Sequence, residues 1–317
     1  MFWEKLEKPI FVLAPLADVT DAAFRRLIAK YGKPDVFFTE FVSADGLCSA
    51  GREHLMRDLA YTEGERPIVA QLFTGKPENM EKAAALVREL GFDGVDINMG
   101  CPDRAVEKQC AGASLMKDYA RARALIVAAK RGAQGLPVSL KIRIGYNKNE
   151  IETWLPELLA EEPAAITVHG RTRKEMSLVP AHWDVIARAA QIRTELGSRT
   201  LILGNGDVTD LDDASAKVKE YGVDGVMLGR AIFGNPWLFN RTKREVSIEE
   251  KLHVMVEHTK LFEEILGDIK NFSIMKKHYK AYVNGFDGAK ELRTELMESK
   301  NAAEVEKIVT TFLKKPH

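Results

Sequence analysis

Cysteine is scarce in this chain: three in 317 residues, Cys48, Cys101 and Cys110. An odd, sparse set excludes a disulfide-built scaffold and fits a reducing compartment. Long apolar runs are missing too. The one near the start, within "MFWEKLEKPIFVLAPLADVTD", is far too short to cross a membrane and is broken by Pro15. A cytoplasmic protein with no membrane partner is therefore expected. Net charge is absent, 46 basic residues balancing 46 acidic ones, so any polyanion must be met by a local basic cluster rather than by the global field. Histidine shows no metal pattern. The seven residues His54, His169, His182, His253, His258, His278 and His317 are scattered, H-E-x-x-H does not occur, and Cys101 and Cys110 are not at a ligand spacing. No metal is expected. G-x-S-x-G is missing, which removes the nucleophile elbow of the α/β-hydrolases, and no low-complexity tract occurs. A composition 45% apolar and 29% charged argues against disorder and for a sizeable core.

What is present is a repeated alternation. Short apolar runs recur at Ile10 to Ala14, Val36 to Glu40, Ile68 to Leu72, Gly94 to Asn98, Val138 to Ile142, Ala165 to His169, Thr200 to Asn205 and Gly225 to Gly229. Their length, branched side chains and flanking glycine or proline read as strands. Between them lie helical patterns: Met80, Ala83, Ala84 and Val87 fall on one face. Eight such units predict a (β/α)8 TIM barrel, residues 1–240, with its site at the strand C-terminal ends. A doubly wound sheet is the competing architecture, but no G-x-G-x-x-G follows the first strand. From Ile248 onward the pattern is helical only, with stripes at Leu252, Met255, Val256 and Thr259, at Met275, His278, Tyr279 and Tyr282, and at Val305, Ile308, Val309 and Phe312. These predict a small C-terminal helical bundle over 248–317, joined through the polar segment 241–247.

In a barrel the run ends converge on one mouth: Pro15 and Asp18, Glu40, Gln71, Asn98 and Cys101, Lys141 and Arg143, His169 and Arg171, Asn205 and Asp207, Gly229 and Arg230. Taken singly each has a bland explanation, such as a satisfied core histidine or a snorkelling lysine; as a set they are polar and basic. "GNGDV" and "GRAIFGNPW" put glycines after the seventh and eighth runs, where such barrels bind phosphate at exposed backbone N–H groups. Arg230 adds a charge-assisted contact. A phosphate site with a lysine and a glutamine and without a metal suits a phosphorylated organic cofactor such as flavin mononucleotide. For Cys101, metal ligand and disulfide partner fall away for lack of companions; a packing thiol and a reagent both remain open.

At these residues the chain resembles the tRNA-dihydrouridine synthase family. The motifs "LAPLADVTDAAFR", "VAQLFT", "DINMGCP", "AGASLM", "LKIRIGY", "ITVHGRTR", "GNGDV" and "MLGRAIFGNPWLF" occur in the family's order, and "MKKHYKAYV" extends the likeness into the helical tail. Leu16 and Asp18 depart from the Met and Gly of many relatives. The resemblance implies FMN as cofactor, NADPH as reductant and tRNA as partner. It further implies that Pro15, Leu16 and Ala17 lie against the flavin ring, that Gln71 and Lys141 contact it, and that His169, Asn205, Gly206, Asp207, Gly229 and Arg230 hold its phosphate tail. Cys101 would protonate uracil C5 while hydride reaches C6, and Asn98 would bind the uracil edge.

Basic residues then gain a use. Arg143, Lys148, Arg171, Arg173 and Lys174 on the mouth, with Lys276, Lys277, His278 and Lys280 on one tail helix, form a candidate track for tRNA phosphates; a solvated helix face is the plainer explanation. Two other functions compete: a flavin enzyme of free pyrimidines or small enones, which the basic tail opposes, and a non-redox RNA-binding protein, which Cys101, Lys141 and His169 together oppose. A monomer is expected.

Overall fold

The computed structural model describes residues 1–242 and 245–315. It falls into two compact units. The first comprises Met1–Pro15, Pro34–Ala60 and Arg66–Arg230, and it holds all the strands: β1 (Ile10–Leu13), β2 (Phe37–Phe38), β3 (Val42–Ser43), β4 (Ile68–Phe73), β5 (Gly94–Met99), β6 (Val138–Arg143), β7 (Ala165–His169), β8 (Leu201–Asn205) and β9 (Gly225–Leu228). Neighbours run β1, β9, β8, β7, β6, β5, β4, β2, every pairing parallel. A parallel bridge between Val12 and Val36, next to β2, brings the last strand back against the first. The result is the expected (β/α)8 barrel. The second run is the weakest strand, two residues long, because the chain turns after Phe38 and then adds the short β3 against Leu72 and Phe73 of β4.

Local chemistry sets the intervening helices. Pro77 occupies the first turn of helix Pro77–Glu89, where its missing N–H costs nothing. Asp118 caps Tyr119–Ala133 by accepting from the Arg121 N–H. These two helices pack closely at Gly132, where a Cβ would stand 2.0 Å from the carbonyl oxygen of Glu81; only glycine permits that approach. Met80, Ala83, Ala84 and Val87 are all buried, as their spacing predicts.

The second unit gathers Leu16–Lys33, Tyr61–Glu65 and Ala231–His317. Its helices are Ala22–Tyr31, Ile248–Leu266, Met275–Tyr282, Ala289–Glu298 and Ala302–Leu313. The predicted stripes supply its core: Leu252, Met255, Met275, Tyr279, Tyr282, Val305 and Val309 are almost fully buried. Helix Ala22–Tyr31, which follows β1 in the chain, joins this group through Phe24, stacked on His258 with ring centroids 4.5 Å apart. Arg25 and Glu65, both fully buried, pair at 2.8 Å and tie two segments of the unit together. The polar segment 241–247 includes residues 243 and 244, which lie outside the described residues, as do 316 and 317 at the end of the helical region.

Candidate active site

Strand register builds the site. In a strand alternate residues share a face, and the parallel pairings align Gln71 with Asp96 and Asp96 with Ser139, then Asn98 with Lys141 and Lys141 with Thr167, then Arg143 with His169 and His169 with Asn205. One face of five adjacent strands, β4 to β8, is thus lined with polar groups, and the opposite face of β5, β6 and β7 with Val95, Ile97, Leu140, Ile142, Ile166 and Val168, all buried.

A continuous set of hydrogen bonds runs through that polar face. Ser139 Oγ donates to Asp96 Oδ1 at 2.6 Å, and Gln71 Nε2 donates to Asp96 Oδ2 at 2.7 Å. Asn98 Nδ2 donates to Gln71 Oε1 at 3.0 Å. Asn98 Oδ1 in turn accepts from the backbone N–H groups of Gly100 and Cys101, at 3.1 and 2.9 Å. Cys101 is partly buried on the loop after β5, and Asp103 caps the short helix that follows by accepting from Ala105 and Val106. Burial pushes the Cys101 thiol up, against the opposing pull of the Asp103 backbone bond and the charges of Lys141 and Arg143. The thiol is therefore protonated at neutral pH. Burial also lifts Asp96 to about 6 and lowers Lys141 to about 8, Arg143 adding to the latter.

Around the next strands the chemistry is cationic. Lys141 Nζ lies 3.3 Å from Asn205 Oδ1, whose Nδ2 donates to the Met227 carbonyl at 2.8 Å. Desolvation and the charges of Lys141, Arg143, Arg171 and Arg230 hold His169 well below its usual value, as neutral imidazole. Arg143 and Arg171 are buried, and their guanidinium groups hold loop backbone. Arg143 donates to the carbonyls of Gly100, Thr172 and Met176. Arg171 donates to the Val179 carbonyl and to Asp207. Asp207, in the left-handed region with φ 51°, also accepts from exposed Arg230 at 2.5 Å and from the Ala181 N–H at 2.9 Å; the Arg171 bond, foremost, holds its carboxyl low. Gly206, at φ +126°, has no room for a side chain: a Cβ would lie 2.7 Å from Ala181 and 3.2 Å from the His169 ring.

Of the residues expected to act together, Gln71, Asn98, Cys101, Lys141, His169, Asn205, Gly206, Asp207, Gly229 and Arg230 all belong to the first unit, with Pro15, which follows the Ala14 N–H bonded to the Leu228 carbonyl. Leu16, Ala17, Lys276 and Lys277 belong to the second. There Lys277 Nζ lies 3.7 Å from Asp18 and is half exposed. Sequence reasoning passed over Asp96 and Ser139. It also passed over the clasp in which Tyr146 lies under Lys117 Nζ at 3.6 Å and near Arg173, itself paired with Glu107 at 2.6 Å. Period-two alternation around Asn98 and Lys141 carries the signal for the first pair. Among the described residues no group of three or more His, Cys, Asp or Glu side chains is placed to hold a metal ion, and no helix is long and apolar enough to cross a membrane.

The family model described as Dihydrouridine synthase (Dus) matches residues 12–316. A Bacillus subtilis (strain 168) protein named probable tRNA-dihydrouridine synthase 2 is 41% identical over 317 residues, covering 99% of this chain and 97% of that protein. A Staphylococcus epidermidis protein named probable tRNA-dihydrouridine synthase is 39% identical over 314 residues, covering 98% and 96%. Among solved structures, histamine dehydrogenase from Rhizobium sp. 4-9 superposes with TM-score 0.55 at 13% identity, over 79% of this chain and 48% of its own. A morphinone reductase variant in complex with tetrahydroNAD gives 0.51 at 14% identity, over 73% and 85%. At such identities these two speak to the barrel fold alone.

Proposed function

The chain belongs to the dihydrouridine synthase family, and from that premise we propose that it reduces the C5–C6 double bond of particular uridines in tRNA, with FMN as bound cofactor, NADPH as electron source and Cys101 as proton donor. The observation that carries the reading is the place of Cys101: a partly buried thiol on a loop fixed by Asn98, beside a cluster of cationic and neutral donors, where burial pushes its pKa up.

That cluster fits a flavin. The bare backbone at Gly206, packed too close to Ala181 and His169 for a side chain, the Asn205 amide and the exposed Arg230 suit a phosphate tail, and Lys141 suits negative charge on a reduced ring. Pro15, Gln71, Lys141, His169, Asn205, Gly206, Gly229 and Arg230 would hold it, Asp207 orienting Arg230 and Arg171. When bound, the flavin supplies hydride for uracil C6. The protein's share is the rest. Cys101 Sγ gives its proton to C5 and is left as thiolate, to be reprotonated from solvent. A thiol is the right acid here because it must not ionise before hydride arrives, and a raised pKa secures that. Asn98 Nδ2 keeps one N–H beyond its bond to Gln71, available to a uracil carbonyl. Extruding the uridine costs a few kcal/mol, less for a base already unpaired in a tRNA loop. Lys148, Arg173 and Lys174 in the first unit, and Lys276, Lys277 and Lys280 in the second, supply local positive charge for phosphates on a chain without net charge.

The test is direct. Purified protein with FMN, NADPH and an unmodified tRNA transcript should oxidise NADPH and yield dihydrouridine by mass spectrometry of the digested RNA. A protein that takes up no flavin, or that reduces free uridine as fast as tRNA, sinks the proposal.

A further inference from the structure

One buried carboxylate takes no part in those steps. Asp96 is 1% exposed on β5, and desolvation there is expensive enough to lift its pKa to about 6. A carboxylate kept at such a cost, where a leucine would pack, needs a use. The hydrogen bonds supply one through their direction. An ionised carboxylate accepts and cannot donate, so Gln71 must turn its NH2 toward Asp96 Oδ2, 2.7 Å away. Its Oε1 then faces Asn98, which must answer with its own NH2, at 3.0 Å. The Asn98 Oδ1 is thereby aimed at the loop, where the Gly100 and Cys101 N–H groups meet it at 3.1 and 2.9 Å. Each donor points back toward Asp96. Turning over either amide would set N–H against N–H at one end, leaving a buried donor without an acceptor, which is unfavourable.

Both neighbours that complete the Asp96 surroundings agree with this. Ser139 donates to the second oxygen at 2.6 Å, so neither oxygen is left to compete for a different partner. Lys141 acts on it electrostatically and favours the ionised, acceptor-only form. The opposite end is equally constrained: the Cys101 carbonyl accepts from the Ala113 N–H at 2.9 Å, and a Cβ on Gly112 would strike that carbonyl at 2.7 Å. The loop position of the thiol thus depends on one amide orientation, and that orientation on one carboxylate.

We propose that Asp96 is a positioning residue for the proton donor: through Gln71 and Asn98 it fixes the polarity of two amides and so where the Cys101 thiol sits. The inference rests on reading Cys101 as the acid. Asp96 touches neither substrate nor cofactor and transfers no proton.

The experiment reads the thiol without turnover. Cofactor-loaded protein is alkylated with iodoacetamide across a range of pH, and the Cys101 peptide is quantified by mass spectrometry apart from Cys48 and Cys110. Asp96→Leu should loosen the loop, bring the thiol toward solvent and lower its midpoint by about one pH unit, or about tenfold in rate at a fixed lower pH. Asp96→Asn should keep the wild-type profile, since its carbonyl can accept from Gln71 while its NH2 faces Ser139 Oγ. If Asp96→Leu does not fold, Gln71→Met cuts the chain at its middle, and the same shift is expected. A wild-type profile in the folded cut variant, or equal shifts for Asn and Leu at position 96, overturns the proposal. Failure of the acid reading shows elsewhere: Cys101→Ala would then still reduce tRNA uridine, whatever the alkylation profiles show.

Discussion

The His258 and His278 rings meet edge to face, centroids 4.5 Å apart at 74°, both fully buried in the second unit and, among the described residues, with no hydrogen-bond partner for His258 Nε2 or for either nitrogen of His278. Phe24 stacks on His258, Phe233 lies 6.0 Å from His278, and the Tyr282 hydroxyl lies 3.4 Å from His258 Nδ1. Burial, with the other histidine second, holds His258 well below its usual value; burial and then Lys277 bring His278 to about 3.

A pH dependence of stability follows. Both rings are neutral when folded and free to protonate when unfolded, so their depressed pKa values leave stability intact above pH 6.5. Below that each loses about 1.4 kcal/mol per pH unit, down to its folded pKa. Thermal midpoints should fall between pH 6.5 and 5, and His278→Phe should fall less steeply. Equal slopes for the two proteins would refute the account.

Arg25 and Glu65 form a buried ion pair in that unit. Arg25 also donates to the Thr20 carbonyl at 2.9 Å, and Glu65 Oε1 accepts from the Thr62 N–H and hydroxyl. Both Glu65 oxygens and the Nε and Nη1 of Arg25 are engaged, so removing one partner strands the other. Glu65→Ala should cost about 3–5 kcal/mol in urea unfolding. A loss under 1 kcal/mol would show that the pair is solvated in practice.

What the sequence announced and what it withheld divide along one physical line. Runs such as Val138 to Ile142 carry their own period, so eight strands were readable locally. The role of Asp96 was not, because its partners Gln71 and Ser139 are 25 and 43 residues away and become neighbours only through register. Arg143 and Arg171 illustrate the same limit: an arginine at a strand end looks alike in sequence whether it faces a phosphate or, as here, loop carbonyls. Likewise helix Ala22–Tyr31 reads as one more barrel helix, and its contact with the C-terminal helices runs through Phe24, whose partners His258 and His278 are distant in the chain.

Gly206 offers a test of the phosphate reading. Its φ of +126° disfavours any side chain, and an added methyl would meet Ala181 at 2.7 Å. Gly206→Ala should lose about 1–3 kcal/mol of stability and release FMN on gel filtration. A variant that kept its yellow colour through the column would place the phosphate elsewhere.

Lys276 and Lys277 lie on helix Met275–Tyr282, whose apolar side is fully buried. Replacing both with Glu should weaken tRNA binding and, if each meets a phosphate, lower the slope of log affinity against log salt by about 2. FMN absorbance should be unaffected. Affinity unchanged across salt would remove this helix from the RNA contact.

Cys101→Ala separates acid from packing group. The side chain neighbours Phe73, Val106 and Ala111, so a purely structural thiol would be missed mainly as a small loss of stability. The acid role demands more. Flavin binding and its reduction by NADPH should persist, because neither uses the thiol, while uridine reduction falls by about 10²–10⁴, the usual share of a positioned general acid. The measurement is single-turnover reoxidation of reduced enzyme by tRNA. Because burial raises the Cys101 pKa, wild-type reoxidation should hold steady through neutral pH and fall only as the thiol ionises. A variant with Ala at 101 that reoxidised at the wild-type rate would return Cys101 to the core.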